Sequence, residues 1–348
     1  MLIALVVLAA LASPAVQIVG PNQIAGAAEP QAAVDASGHI FVTFGAANKI
    51  YVSQSDDKGA TFDSPVKAAD APSLMLGHRR GPRISTSNGN VVISAVSEGN
   101  LLCWTWKSGA QLWSTAPAQV NDEAGSADEG LHAMTANANI VVCTWLDHRN
   151  KSTELFASVS EDSGETWSPN TLVYKSPGGN ICECCHPSVT IGADDTIHIM
   201  FRNSLNENRD MYVTDSSDEG QTWTEPKLMG KGHWKLDVCP MDGGAITGDT
   251  DGAVSTLWQR DGAVFFAHPD AAEKKIGVGL QPWIFGSYGL YLKKAGGPLM
   301  SFQGGGEPRL VTGDAIDPMV AGQSGGAGPI VATWATSKGA IMAQVLAR

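Results

Sequence analysis

One eight-residue phrase recurs along the chain and limits what it can fold into. Residues 55–62 read SDDKGATF, residues 160–167 read SEDSGETW, and residues 216–223 read SSDEGQTW. All three fit S-x-D-x-G-x-T-[WF], at separations of 105 and 56 residues, two periods and one of a repeat near 50 residues. A decayed copy, Lys107-Ser108-Gly109 with Trp113, lies between the first two. The phrase reads as a turn capping a hairpin. Its Asp bonds backbone amides, its Gly takes a positive φ, and its aromatic tucks under the turn.

Around each turn the same order of strands appears. An alternating apolar strand such as Ile40-Phe41-Val42-Thr43-Phe44 is followed by one such as Ile50-Tyr51-Val52-Ser53, then by the turn and an outer strand. Units open at Pro30, Pro82, Leu131, Pro187, Gly244, Gly289 and Met319. In the last three units, Ala253 to Trp258, Leu299 to Gln303 and Pro329 to Trp334 align as inner-middle strands. The chain has 39 Gly, 18 Pro and only 17% charged residues in 348, which argues against coiled coils and long surface helices. Short strands, turn-rich connections and four strands per unit predict an all-β fold, a β-propeller of seven blades with six as the alternative. The last unit stops after a third strand at Met342 to Leu346, and Val16 to Val19 would supply its fourth, closing the ring.

Residues Met1 to Ala12 are uncharged and almost all Leu, Val and Ala, followed by Ser13 and Ala15. The run is too short for a membrane span, which needs ~20 residues. It reads as a secretory signal peptide over residues 1–15, although no Lys or Arg precedes it; a buried first strand is the alternative. Residues 16–348 then form one propeller domain. The expected location is periplasmic or secreted, where disulfides persist. With 23 Lys+Arg against 35 Asp+Glu, a net charge of −12, nucleic acid is excluded as the main partner, and no membrane insertion is expected.

The S-x-D-x-G-x-T-W turn resembles the Asp-box, or bacterial neuraminidase (BNR) repeat, of the sialidase-like propeller superfamily. Arg80-Gly81-Pro82-Arg83-Ile84, Trp145-Leu146-Asp147-His148-Arg149, Cys182-Glu183-Cys184-Cys185 and Cys239-Pro240-Met241 resemble phrases of exported bacterial members labelled exo-α-sialidase. The resemblance implies a glycoside hydrolase site in which three arginines clamp a carboxylate, a Tyr paired with Glu is the nucleophile, and an Asp is the acid/base. Carried onto this chain, it points to Arg83, Arg202, Arg260 and Arg309 as clamp candidates. Tyr288 or Tyr291 stands as nucleophile with Glu307 or Glu98, and Asp147 or Asp128 as acid. The chain departs from the pattern in having no F/Y-R-I-P motif before its first Asp-box.

Strands of a blade alternate in direction, so the Asp-box turns share a rim with the turns joining first to second strands. The blade connections and the second-to-third loops lie on the other rim. That rim is expected to collect the reactive side chains and to be locally cationic, suiting a glycan or a small anionic ligand. Cys182, Cys184, Cys185 and His186 open the fourth unit, and Cys239 and Met241 the fifth. Soft thiolate, thioether and imidazole ligands suit copper or zinc, although no cofactor is required for hydrolysis. The alternative is a pair of disulfides, for example Cys239 to one of the three and Cys182 to Cys185. A third reading is a binding propeller with no chemistry, taking a glycan or a protein partner. Trp104, Trp145, Trp258 and Trp334 are expected to pack between blades, with Trp234 and Trp283 in connections. Cys103 and Cys143 are expected to be buried in neighbouring blades.

Overall fold

Alternating apolar and polar residues give strands with one face for each neighbouring sheet. The computed structural model, which describes residues 13–248, 254–323 and 328–348, arranges those strands as seven sheets. Neighbouring innermost strands pack against one another right around the ring. The first blade comprises Ala28–Val34, Ile40–Ala46, Lys49–Ser55 and Val66–Asp70. The second comprises Arg83–Ser87, Asn90–Ser97 and Asn100–Lys107, edged by Leu112–Trp113 and Ala118–Gln119. The third comprises His132–Ala136, Val141–Asp147, Glu154–Ser160 and Thr171–Tyr174, and the fourth Ser188–Ile191, Ile197–Leu205, Asn208–Ser216 and Lys227–Leu228. The fifth comprises Ala245–Gly248, Val254–Arg260, Ala263–Ala267 and Lys274–Val278, and the sixth Leu280–Phe285, Tyr288–Leu292, Leu299–Gln303 and Arg309–Thr312. The seventh holds Ile316–Ala321, Ile330–Ala335 and Ile341–Ala347. Its outer edge is Val16–Val19, in the register Val16 opposite Ala343, so the ends of the chain close the ring as expected. Residues 1–12 of the expected signal segment lie outside the described residues, as does Ala253. No helix among the described residues is long and apolar enough to cross a membrane.

One opening expected from the sequence needs correction. The sixth blade begins at Leu280, not Gly289, and Gly289 sits in its second strand. Leu299–Gln303 is accordingly a third strand. The reason is a linker of one residue: Lys274–Val278 ends the fifth blade, and only Gly279 separates it from the next strand. The extended run from Lys274 to Phe285 hides a blade boundary that longer loops mark elsewhere. Trp283 therefore lies in an innermost strand and not in a connection.

Blades adhere through large apolar side chains in their second strands. Trp145, Trp258 and Trp334 are all buried, as is Trp104. Truncating one such side chain costs about 3–5 kcal/mol. The Asp-boxes add a second tie. In each, the Ser hydroxyl donates to the Asp at 2.8 Å, as Ser55 to Asp57, Ser160 to Asp162 and Ser216 to Asp218. The Thr amide and hydroxyl then donate to the same Asp: Thr61 to Asp57 at 2.9 and 2.6 Å, and Thr222 to Asp218 at 2.9 and 2.6 Å. The glycine takes φ near +80° and presses on the preceding blade. A Cβ on Gly164 would lie 2.8 Å from Cys103 Sγ, and one on Gly59 2.5 Å from Val345.

Candidate functional site

Side chains at or just before the starts of several innermost strands meet at the rim opposite the Asp-boxes. Three of these starts share one device. Glu29-Pro30, Gln281-Pro282 and Asp317-Pro318 each interrupt the ladder between first and second strands. The residue before proline has φ of 54°, 52° and 48° in turn. Proline within a bulge forfeits no ladder bond, and the irregularity re-aims the preceding side chain. His186-Pro187 and Gly81-Pro82 occupy the same place in the fourth and second blades.

These side chains form one network. Arg79 donates from Nη2 to the Gln281 carbonyl at 2.8 Å, and its guanidinium lies 5.0 Å over the Trp283 ring. His186 stacks on the same ring at 5.8 Å. The Gln281 amide nitrogen donates to Asp242 Oδ2 at 2.8 Å, and its side-chain Nε2 donates to Asp317 Oδ1 at 3.2 Å. Glu29 accepts from the backbone amides of Arg80 and Gly81. Four buried atoms of the cluster have no hydrogen-bond partner within the chain: Arg79 Nε, His186 Nε2, Asp242 Oδ1 and Gln281 Oε1. Burial pushes the Asp242 and Glu29 carboxyls above their ordinary values, with Asp317 adding to the effect at Glu29. Burial, reinforced by Arg79, Arg83 and Arg202, holds His186 well below the usual histidine range, so its ring is neutral. The expected cationic face is not what forms at the axis: Arg79, Arg83 and Arg202 are set among Glu29, Asp242 and Asp317. An axial channel of about 940 Å³, walled by small residues of all seven innermost strands, runs from Arg83 toward the turns on the Asp-box rim.

Beside this network the Cys182–Cys185 turn meets the loop carrying Cys239. Cys184 and Cys239 are disulfide-bonded, with Cα atoms 6.4 Å apart. Cys182 and Cys185 are buried thiols whose sulfurs lie 3.2 Å apart, and Cys182 Sγ is 4.0 Å from Cys239 Sγ. All four sulfurs lie within 4.8 Å of one another. The hydrogen bond from Cys185 lowers Cys182 to about 7 against the opposing effect of burial, helped by Arg202 and Arg209. Burial pushes Cys185 up. His186 and Met241 do not join the sulfur cluster; His186 belongs to the axial network and Met241 is exposed.

The Asp-box turns and the seven sheets agree with what part of the sequence matches. Residues 131–269 match the BNR repeat-like domain. The chain is a seven-bladed β-propeller that carries a BNR repeat-like region. No curated protein sequence matches it significantly. An α-L-arabinofuranosidase of Fusarium graminearum superposes with a TM-score of 0.59 at 11% identity, covering 96% of this chain and 97% of that one. A virginiamycin B lyase of Staphylococcus aureus gives a TM-score of 0.59 at 13% identity, covering 96% and 99%. A streptogramin B lyase gives 0.58 at 14%, covering 95% and 96%. At these identities the likeness concerns the fold.

Within this propeller the candidate hydrolase residues are not brought together. Arg202 is buried, and its guanidinium is spent on the carbonyls of Asp242, Arg209 and Gln259. Arg83 donates to the carbonyls of Gly81 and Arg79. Arg260 pairs with Glu273 and the Gly232 carbonyl. Tyr288, Glu307 and Arg309 lie on the Asp-box rim, a correction that follows from the shifted sixth blade: Tyr288 opens a second strand, and the other two flank a fourth. Tyr291 is buried in the strand. Asp147 is buried and accepts from Ser126 at 2.7 Å, from Trp145 Nε1 at 2.8 Å, and from the amide and guanidinium of Arg149 at 2.9 Å. Burial raises its pKa, but these bonds outweigh burial and hold the carboxyl below its usual range, so it has no proton to give. Asp128 instead pairs with His148 at 2.7 Å, and Glu98 is exposed at a loop tip. The sequence reading missed Glu29, Gln281 and Asp317. The signal was the residue-proline pair at each of these blade starts, of which only Pro30 marked an expected opening.

Proposed function

We propose that the protein is an exported binding propeller, periplasmic or secreted, that holds a neutral glycan at the axial end opposite its Asp-boxes and does not cleave it by sialidase chemistry. One observation carries the reading. Four blade starts gathered around Trp283 leave donors and acceptors unpartnered, namely Arg79 Nε, His186 Nε2, Asp242 Oδ1 and Gln281 Oε1. An unmet buried polar atom costs about 1–3 kcal/mol, so such a group is a strong attractor for a polar ligand. Mixed donors and acceptors around an aromatic face suit a polyhydroxylated sugar. The balance of guanidiniums and carboxyls favours a neutral ligand over an anionic one. A carboxylate clamp is disfavoured because Arg83, Arg202 and Arg260 are already committed.

The test is calorimetry with neutral and sialylated oligosaccharides beside a fluorogenic sialoside assay. Expected are binding of neutral glycans, weakened about tenfold or more in Gln281→Ala, and no sialoside turnover. Sialoside hydrolysis, or no glycan binding at any attainable concentration, would sink the proposal.

A further inference from the structure

The four-sulfur cluster plays no part in the ligand reading above and does not depend on it. Its geometry is that of two pairs in series. The Cys184–Cys239 bond is partly exposed, while Cys182 and Cys185 lie beneath it, 0% and 2% exposed. The Cys185 amide donates to the Cys182 carbonyl across 3.5 Å, so the C-x-x-C segment is a turn that holds both thiols on one side. Cys182 thus has a disulfide partner on one flank at 4.0 Å, Cys239, and a thiol partner on the other at 3.2 Å, Cys185.

We propose that this cluster is a thiol–disulfide exchange site, in which a buried Cys182–Cys185 couple exchanges oxidising equivalents with the accessible Cys184–Cys239 couple and, through it, with an external protein disulfide or dithiol. The internal transfer balances without an added reagent. The Cys182 thiolate attacks Cys239 Sγ, forming a Cys182–Cys239 bond and breaking Cys184–Cys239. Cys184 leaves as a thiolate and takes up a proton. Cys185, having lost its proton, attacks Cys182 Sγ, forms Cys182–Cys185 and expels Cys239, which is protonated in turn. One disulfide has become two thiols and two thiols one disulfide, with no net electron change. The freed Cys184 and Cys239 thiols then reduce an external disulfide to two thiols and re-form their own bond. The reverse sequence oxidises an external dithiol.

The experiment is a glutathione redox titration of the full-length protein, with alkylation and peptide mapping by mass spectrometry at each potential. Two two-electron transitions are expected, one ending in a Cys182–Cys185 bond, while the buried Cys103 and Cys143 remain thiols as an internal reference. Cys185→Ser should accumulate the Cys182–Cys239 mixed disulfide, and Cys182→Ser should freeze Cys184–Cys239. The wild-type map alone decides the matter if either variant fails to fold. A single transition confined to Cys184–Cys239 overturns the proposal. So does recovery of stoichiometric copper or zinc on four thiolates with no disulfide.

Discussion

The two rims of the ring are both rich in polar groups, yet they spend them in opposite ways. On the Asp-box rim, Asp57, Asp162 and Asp218 are partly exposed, and each meets the same Ser, Thr and backbone partners inside its own turn. On the other rim Asp242, Arg79 and His186 come from separate blades, are buried, and leave hydrogen-bonding capacity over. A turn that satisfies itself is a folding device and recurs wherever the fold does. A buried cluster that does not satisfy itself costs stability, and that is the mark of a site kept for a ligand.

This contrast can be broken by substitution. The largest effect is expected at Asp147, which belongs to the opposite rim but behaves like the Asp-boxes. Asp147→Ala strands Arg149 and Trp145 and should lower the unfolding free energy by about 3–5 kcal/mol in urea denaturation, with little effect on binding by the molecules that remain folded. Next comes Asp162→Ala, which removes accepted bonds from Ser160, Glu165 and Thr166 and should cost about 2 kcal/mol, again sparing ligand affinity. Asp242→Asn should do the reverse. Neutralising a buried carboxyl leaves stability within about 1 kcal/mol of wild type or raises it, while glycan affinity measured by calorimetry falls about tenfold. Equal losses of stability and affinity at Asp162 and Asp242 would erase the distinction between the rims.

The smallest effects are in pH dependence, and the two rims should differ in where it appears. Hydrogen bonds from Thr61 and Thr222 lower Asp57 and Asp218 from 3.8 to about 2. A carboxylate with a depressed folded pKa contributes stability that is full above its unfolded pKa and lost as pH falls through the folded one. The Asp-box contribution should therefore fade between pH 3.8 and about 2. Burial, with Arg83 nearby, lowers His132 from 6.5 to about 3. The unfolded chain takes up that proton first, so stability should begin to fall as pH drops below 6.5. Thermal melts of His132→Gln between these limits should show a flatter slope than wild type.

The fold was readable because three intact turns lie in register, and the closing strand because the last unit lacked one. Tyr288, Glu307 and Arg309 were placed on the wrong rim for one physical reason: Gly279 is too short a linker to announce a blade boundary. Arg83 and Arg202 were found as arginines on the expected rim. Their commitment to carbonyls was not readable, because the Arg202 partner Gln259 lies 57 residues away. The cysteine cluster was legible as a convergence of two loops. Which sulfur pairs with which, and which pair is buried, came only from the turn geometry.

The pairing of Val16–Val19 with Ile341–Ala347 joins the first and last strands of the ring. A ring closed in this way cannot be completed in stages. The other six blades are each built from one continuous stretch of chain, while the seventh needs strands from both ends of the ring, so the ring stays an open crescent with two unpaired edges until that pairing forms. The kinetics of assembly should then be governed by this longest loop closure, and circular permutation that opens the ring elsewhere should move the slow step with the new termini.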